Sequence, residues 1–149
     1  MEIQVPIKTF VSFCFKDWLA RMATRPGFEE KSANVWKRKS GTEEMHDVVD
    51  GEYLRNFKGP DGKLFSDATS GEGRYVFTLC IDFFNPYTNK QAGKKASIGI
   101  ISLACLNLPP EERYKPENIF LAGIIPGPKE PPLNALNHYL TLLINDLLD

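Results

Sequence analysis

One stretch limits the architectures open to this chain more than any other: Arg74 to Pro86, RYVFTLCIDFFNP. Tyr75, Val76, Phe77, Leu79, Cys80 and Ile81 form an aromatic and β-branched run. Its length is that of a strand buried on both faces, not of a helix. The predicted strand, over about 74–82, ends on one carboxylate, Asp82, and the chain then turns at Asn85-Pro86. A charge at the tip of a buried strand requires a partner, a metal or water, so Asp82 is the first candidate for chemistry.

The runs that follow set the rest of the order. After a polar, glycine-containing loop over 88–97 comes a second apolar run at 98–106, closed by Asn107-Leu108-Pro109-Pro110. A charged connection over 111–118 leads to a third run at 119–125, stopped by Pro126-Gly127-Pro128. Leu133, Leu136, Leu140, Leu143, Ile144 and Leu147 then recur at three- and four-residue spacing, which predicts an amphipathic helix over about 133–148. Short connections favour an antiparallel meander of three strands followed by a covering helix, an α+β fold.

Upstream, Val11, Phe15, Trp18, Leu19 and Met22 share one helical face, with Pro26-Gly27 as its stop. A second short helix is expected over about 28–33, and another over 46–57 bearing Val48, Val49, Tyr53, Leu54 and Phe57. Residues 34–44 read as a polar linker, Gly59-Pro60-Asp61-Gly62 as a tight turn, and Leu64-Phe65 as a brief strand or plug. A helical and loop segment over 1–66 thus precedes a sheet-forming segment over 67–149.

Several function classes recede on composition. A chain of 149 residues with a formal charge of −1 carries no overall basic field, so it does not announce a nucleic-acid binder as a whole. Cys14, Cys80 and Cys105 are odd in number and widely spaced, and read as small hydrophobes in a reducing compartment. Met1 to Pro6 lacks the basic start and apolar core of a secretory signal, and no apolar run reaches membrane-spanning length. Gly-rich phosphate loops, nucleophile elbows and zinc-type spacings are absent from the sequence. The final helix is still apolar at Leu147-Leu148, so two readings stand: the front part of a larger domain with an unpaired sheet edge, or a complete small α+β domain.

The strings GRYVFTLCIDFFNPYTNK, SLACLNLPPEERYKPENIFLAGIIPGPKEP and LNHYLTLLINDLLD, in that order, resemble the transposases of CACTA (En/Spm-type) cut-and-paste DNA transposons in their fungal form. Upstream, DWLARMATRPGFEE and HDVVDGEYLRNFKGPDG resemble the segment before the catalytic region in that family, so the likeness covers nearly the whole chain. It implies that residues 67–149 are the first half of an RNase H-like catalytic core. Such a core holds two Mg²⁺ ions on a trio of acids for in-line attack on DNA phosphates. In that scheme Asp82 is the first catalytic acid and a metal ligand, the partner is the DNA of transposon ends, self-association is a further expectation, and the location is the nucleus. The family's second and third acids would fall after Asp149, and Asp146 and Asp149 lie on the covering helix, so the isolated chain is expected to be inactive. The alternative is a non-catalytic relic or domesticated module that binds DNA or a protein.

Other residues carry two readings each. Asp82 is either the first acid or a turn cap. Lys90, Lys94 and Lys95 form a basic loop that contacts DNA phosphates or is simply solvated, and Lys129 is a further DNA-binding candidate. Trp36-Lys37-Arg38-Lys39 reads as a nuclear signal or a chance cluster. Asp47, Asp50 and Glu52 read as a metal-attracting cluster or, better, as a solvated helix start.

Overall fold

The computed structural model describes residues 8–37, 44–67, 72–87 and 96–148. The chain divides into two compact units: Met1–Leu19, Leu79–Leu103 and Phe120–Asp149 form the first, and Ala20–Thr78 with Ala104–Ile119 the second.

The apolar runs become the strands β2 (Phe77–Phe84), β3 (Ile98–Cys105) and β4 (Ile119–Ile125) of an antiparallel sheet. A fourth strand, β1 (Val11–Ser12), joins it, and the order is β1-β4-β3-β2. In β3 the buried residues alternate, Gly99, Ile101 and Leu103 on one face with half-buried Ile98, Ile100 and Ser102 on the other. In β4 the alternation skips a place: Phe120 and Ala122 are buried, then Gly123 and Ile125.

Two expectations are corrected here. The three-stranded meander β2-β3-β4 gains a fourth strand in its sheet, because Val11 lies on a strand and not on the face of the first helix. Val11 pairs with Ile124 and Ser12 with Gly123, and the Phe13 amide donates to the Ala122 carbonyl at 3.1 Å. The second correction concerns the leading run. β2 spans 77–84, not 74–82, and it is an edge strand, not one buried on both faces. Leu79, Cys80, Asp82 and Phe84 are exposed, because an edge position removes the neighbours on one side. Asp82 therefore lies inside the strand, two residues short of its end.

The helix α5 (Leu133–Leu148) forms where the leucine spacing places it, and it packs on the sheet face that carries Ile101. Only Leu143 is buried, with Leu136, Tyr139 and Leu140 half-buried, while Leu133, Leu142, Ile144, Leu147 and Leu148 are exposed. Phe10 meets Tyr139 edge-on at 5.0 Å between ring centres. The helix α1 (Phe15–Ala23) begins in this unit, and Phe15 and Trp18 pack on Phe120 at 5.4 and 5.3 Å. Gly99 is where a side chain would not fit: a Cβ there would meet the Phe83 ring, with the Ile125 Cβ at 3.1 Å. Phe83, Gly99 and Ile125 thus share one face of the sheet, the face that also carries Ile101.

The second unit is built from short elements. The helix α2 (Phe28–Asn34) follows Gly27, whose φ of 77° is a left-handed conformation that glycine adopts without strain. The helix expected over 46–57 breaks in two, because Gly51 is extended: a 3₁₀ turn at Val48–Asp50, then the one-turn helix α3 (Glu52–Arg55). Lys58 bridges Leu64 across the Gly59–Gly62 turn, and the Phe65 amide donates to Phe57 at 2.8 Å, so Leu64-Phe65 returns as a small hairpin arm. The charged connection holds α4 (Pro110–Arg113) and a 3₁₀ turn at Pro116–Asn118. Val35, Val49 and Leu106 form the core, with Trp36, Leu54 and Val76 against it.

Candidate functional site

An acid on an edge strand has water on one side and a backbone ladder on the other. Alternation puts Asp82 on the sheet face opposite Phe83, together with Cys80 and Phe84. Its Oδ1 accepts the Phe83 amide at 2.9 Å, which satisfies a strand N–H. Beyond the strand, Asn85 Oδ1 accepts the Tyr87 amide at 2.9 Å, an Asx-type turn that gives Asn85 the shaping role read from the sequence.

The candidate DNA contacts divide. Lys90, Lys94 and Lys95 lie outside the described residues. Lys129 is exposed on the connection between β4 and α5. That connection is held from below: the Ser97 amide donates to the Pro128 carbonyl at 2.8 Å, and Ser97 Oγ lies 3.3 Å from Glu130 Oε1. Arg38 and Lys39 also fall outside the described residues, whereas Trp36 donates its indole N–H to the Arg74 carbonyl at 3.2 Å and belongs to the core.

Two Mg²⁺ ions require several carboxylate oxygens converging on one place. Among the described residues no three His, Cys, Asp or Glu side chains gather as a ligand group. Asp82 alone does not fit such a pair, so no catalytic step is assigned to it. Asp146, on α5, instead accepts the Phe15 amide and caps the start of α1. A cleft of about 370 Å³ beside it is lined by Phe10, Cys14, Ile101, Tyr139 and Leu143.

Of the acids at 47–52, Glu52 is exposed in the first turn of α3, as a solvated helix start would be, whereas Asp47 and Asp50 are held in ion pairs. Asp47 and Arg113 form a bidentate pair, with Arg113 Nη1 2.8 Å from Asp47 Oδ1 and Nη2 2.7 Å from Oδ2. Their side chains are 3% and 4% exposed. The rest of the guanidinium is used as well: Nε donates to the Leu108 carbonyl, and Nη2 to those of Leu106 and Leu108. Burial works against the charge of Arg113, yet the hydrogen bonds and charge of Asp47 outweigh it and hold its pKa above the ordinary value. Asp47 also accepts the Val48 amide, while Asp50 accepts the Asp47 amide and pairs with Arg55 at 3.2 Å. The signal was present as an Asp-x-x-Asp capping box before Val48-Val49, but its partner lies 66 residues away.

Asn107 is a second buried polar anchor. Its Nδ2 donates to the carbonyls of Ser32 at 3.2 Å and Arg74 at 2.9 Å, and its Oδ1 accepts the Val76 amide at 2.8 Å. This amide holds the residues that lead into β2. Nearby, burial pushes the Tyr75 hydroxyl and the Cys105 thiol above their ordinary pKa values. Among the described residues, no helix is long and apolar enough to cross a membrane. Comparison with protein-family models, curated proteins and solved structures returned no match.

Proposed function

We propose that this chain derives from a CACTA-type cut-and-paste transposase, with an RNase H-like ancestry for its sheet, and that Asp82 descends from the first metal-holding acid. The observation that carries the reading is the order of elements: β2, β3 and β4 in antiparallel succession, then α5 on one face, with an acid near the far end of β2. In this reading the chain works in the nucleus and binds transposon-end DNA through its exposed lysines, Lys129 among them. The reading expects no DNA cutting by the chain itself; among the described residues no further acids gather with Asp82.

A second reading, a non-catalytic DNA- or protein-binding module, is favoured by the use of the Asp82 carboxylate on the Phe83 amide. Titration of duplex DNA with the purified chain over a salt series tests both. The transposase reading expects retention at low salt that weakens steeply as salt rises. Lys129→Ala should lower the salt slope by about 1, and Asp82→Asn should bind equally or slightly more tightly. A chain that retains no duplex at low salt sinks the DNA reading. Mg²⁺-dependent nicking by the chain, lost in Asp82→Asn, would instead overturn its inactivity.

A further inference from the structure

A small cavity of about 250 Å³ opens in the second unit, between α2 and the residues that lead into β2. One wall carries Glu29 and Ser32 of α2 and Trp36 of the 3₁₀ turn Val35–Lys37; the other carries Glu72, Arg74 and Tyr75. A buried amide holds the walls at a fixed separation: Asn107, 1% exposed, donates to the Ser32 carbonyl on one wall and to the Arg74 carbonyl on the other. The Trp36 indole N–H donates to that same Arg74 carbonyl, which fixes its ring. The Tyr75 ring lies against the Gly73 backbone, where a Cβ would meet it at 2.7 to 2.9 Å. Its hydroxyl is hydrogen-bonded to Ser32, and buried Phe28 backs the ring at 5.7 Å between centres.

The charges on these walls do not cancel. Arg74 is committed internally: it donates to the carbonyls of Leu64 and Phe65, stands 5.8 Å from the Phe65 ring centre and lies 3.6 Å from Glu72. Glu29 is left over, since its carboxylate pairs with no cation among the described residues. Two acids against one guanidinium give the lining a net charge of −1. Two fixed aromatic rings beside an uncompensated carboxylate attract an organic cation, the rings through their quadrupole and the acid through its charge. An anion would meet Glu29 and Glu72. A hard metal ion would lack converging oxygens, because among the described residues no three ligating side chains gather.

We propose that this cavity binds a small organic ammonium group, with Trp36 and Tyr75 as its aromatic walls and Glu29 as its counter-charge. The volume falls below the roughly 300 Å³ at which pockets for drug-sized ligands begin, which limits the occupant to a head group of choline or alkylamine size. Because Glu29 is exposed, water screens its ion pair and the rings carry most of the selectivity. The inference is independent of the transposase reading.

The experiment is titration of the full chain with choline, followed by the Trp36 indole N–H resonance, which is assigned by its persistence in Trp18→Phe. The expected result is a saturable shift of that resonance. The choline analogue with a tert-butyl group in place of trimethylammonium, equal in shape and without charge, should bind about tenfold more weakly. Glu29→Gln should weaken choline binding about two- to fivefold. A short peptide bearing one trimethyl-lysine presents the same group on a chain: tighter capture than that of choline assigns the source to a protein side chain, and equal capture assigns it to the free cation. If Glu29→Gln misfolds, the comparison of choline with its neutral analogue in the unaltered chain still decides. The absence of a saturable shift in excess choline overturns the proposal. So do equal affinities for choline and the neutral analogue, or an unchanged choline affinity in folded Glu29→Gln.

Discussion

Removing the Asp47 carboxylate should unfold the second unit more readily than any other single truncation of a charged side chain in it. The Arg113 guanidinium is 4% exposed, and its charge is balanced by Asp47 at 2.7 and 2.8 Å. In Asp47→Ala the charge stays buried without its counterion, a loss of about 3–5 kcal/mol. The Val48 amide also loses its cap, which adds about 1 kcal/mol. Arg113→Met strands the Asp47 carboxylate and leaves the Leu106 and Leu108 carbonyls unbonded, so it too should be severe. The informative variant carries both changes. With neither charge left to desolvate, it should cost less than the sum of the single changes by about 2 kcal/mol or more. Urea unfolding followed by Trp36 fluorescence, with Trp18→Phe as background, reads each value. Additivity within about 0.5 kcal/mol would refute the claim that the two charges depend on each other.

Two further outcomes follow from groups described above. Asp146→Ala should destabilise the first unit by about 1–2 kcal/mol through loss of the α1 cap, with Asp146→Asn recovering part of it, as read by thermal unfolding of each variant; equal stability of all three chains would remove the capping role. Stability should fall as pH rises above about 9, because burial raises the folded-state pKa of the Cys105 thiol and the folded protein then binds more protons than the unfolded chain. The Tyr75 hydroxyl adds a second decline above about 10, since its pKa is raised in the same direction. Urea midpoints measured across the alkaline range should flatten in Cys105→Ala below that second decline, and an unaltered slope would refute the assignment.

The parts of this fold that were readable from the sequence are those whose pattern is local. The leucine spacing places α5 at 133–148, and the apolar runs place β3 and β4 within a residue, because helix and strand periods are properties of neighbouring positions. Pro26-Gly27 lies between α1, which ends at Ala23, and α2, which starts at Phe28, so the stop read for the first helix falls at the break between the two. What stayed hidden depends on distant partners. Val11 and Ser12 carry no strand signature of their own and are recruited by Ile124 and Gly123. β2 has a composition suited to full burial, and only the strand order shows that it stands last in the sheet among the described residues. Asp47 and Arg113 each sit in a hydrophilic stretch that reads as surface, yet the pair is inside because each neutralises the other. The candidate acid itself, Asp82, was legible as a residue but not as a geometry: its exposure and its bond to the Phe83 amide follow from the edge.

The capping of α1 by Asp146 has a bearing on how the protein is made. The two groups lie 131 residues apart, and β1 waits on β4 in the same way. A nascent chain carries its first helix with an open start until residue 146 has followed it. The start of α1 is capped only once α5 has formed, so this unit closes through contacts of high sequence separation and closes late in folding.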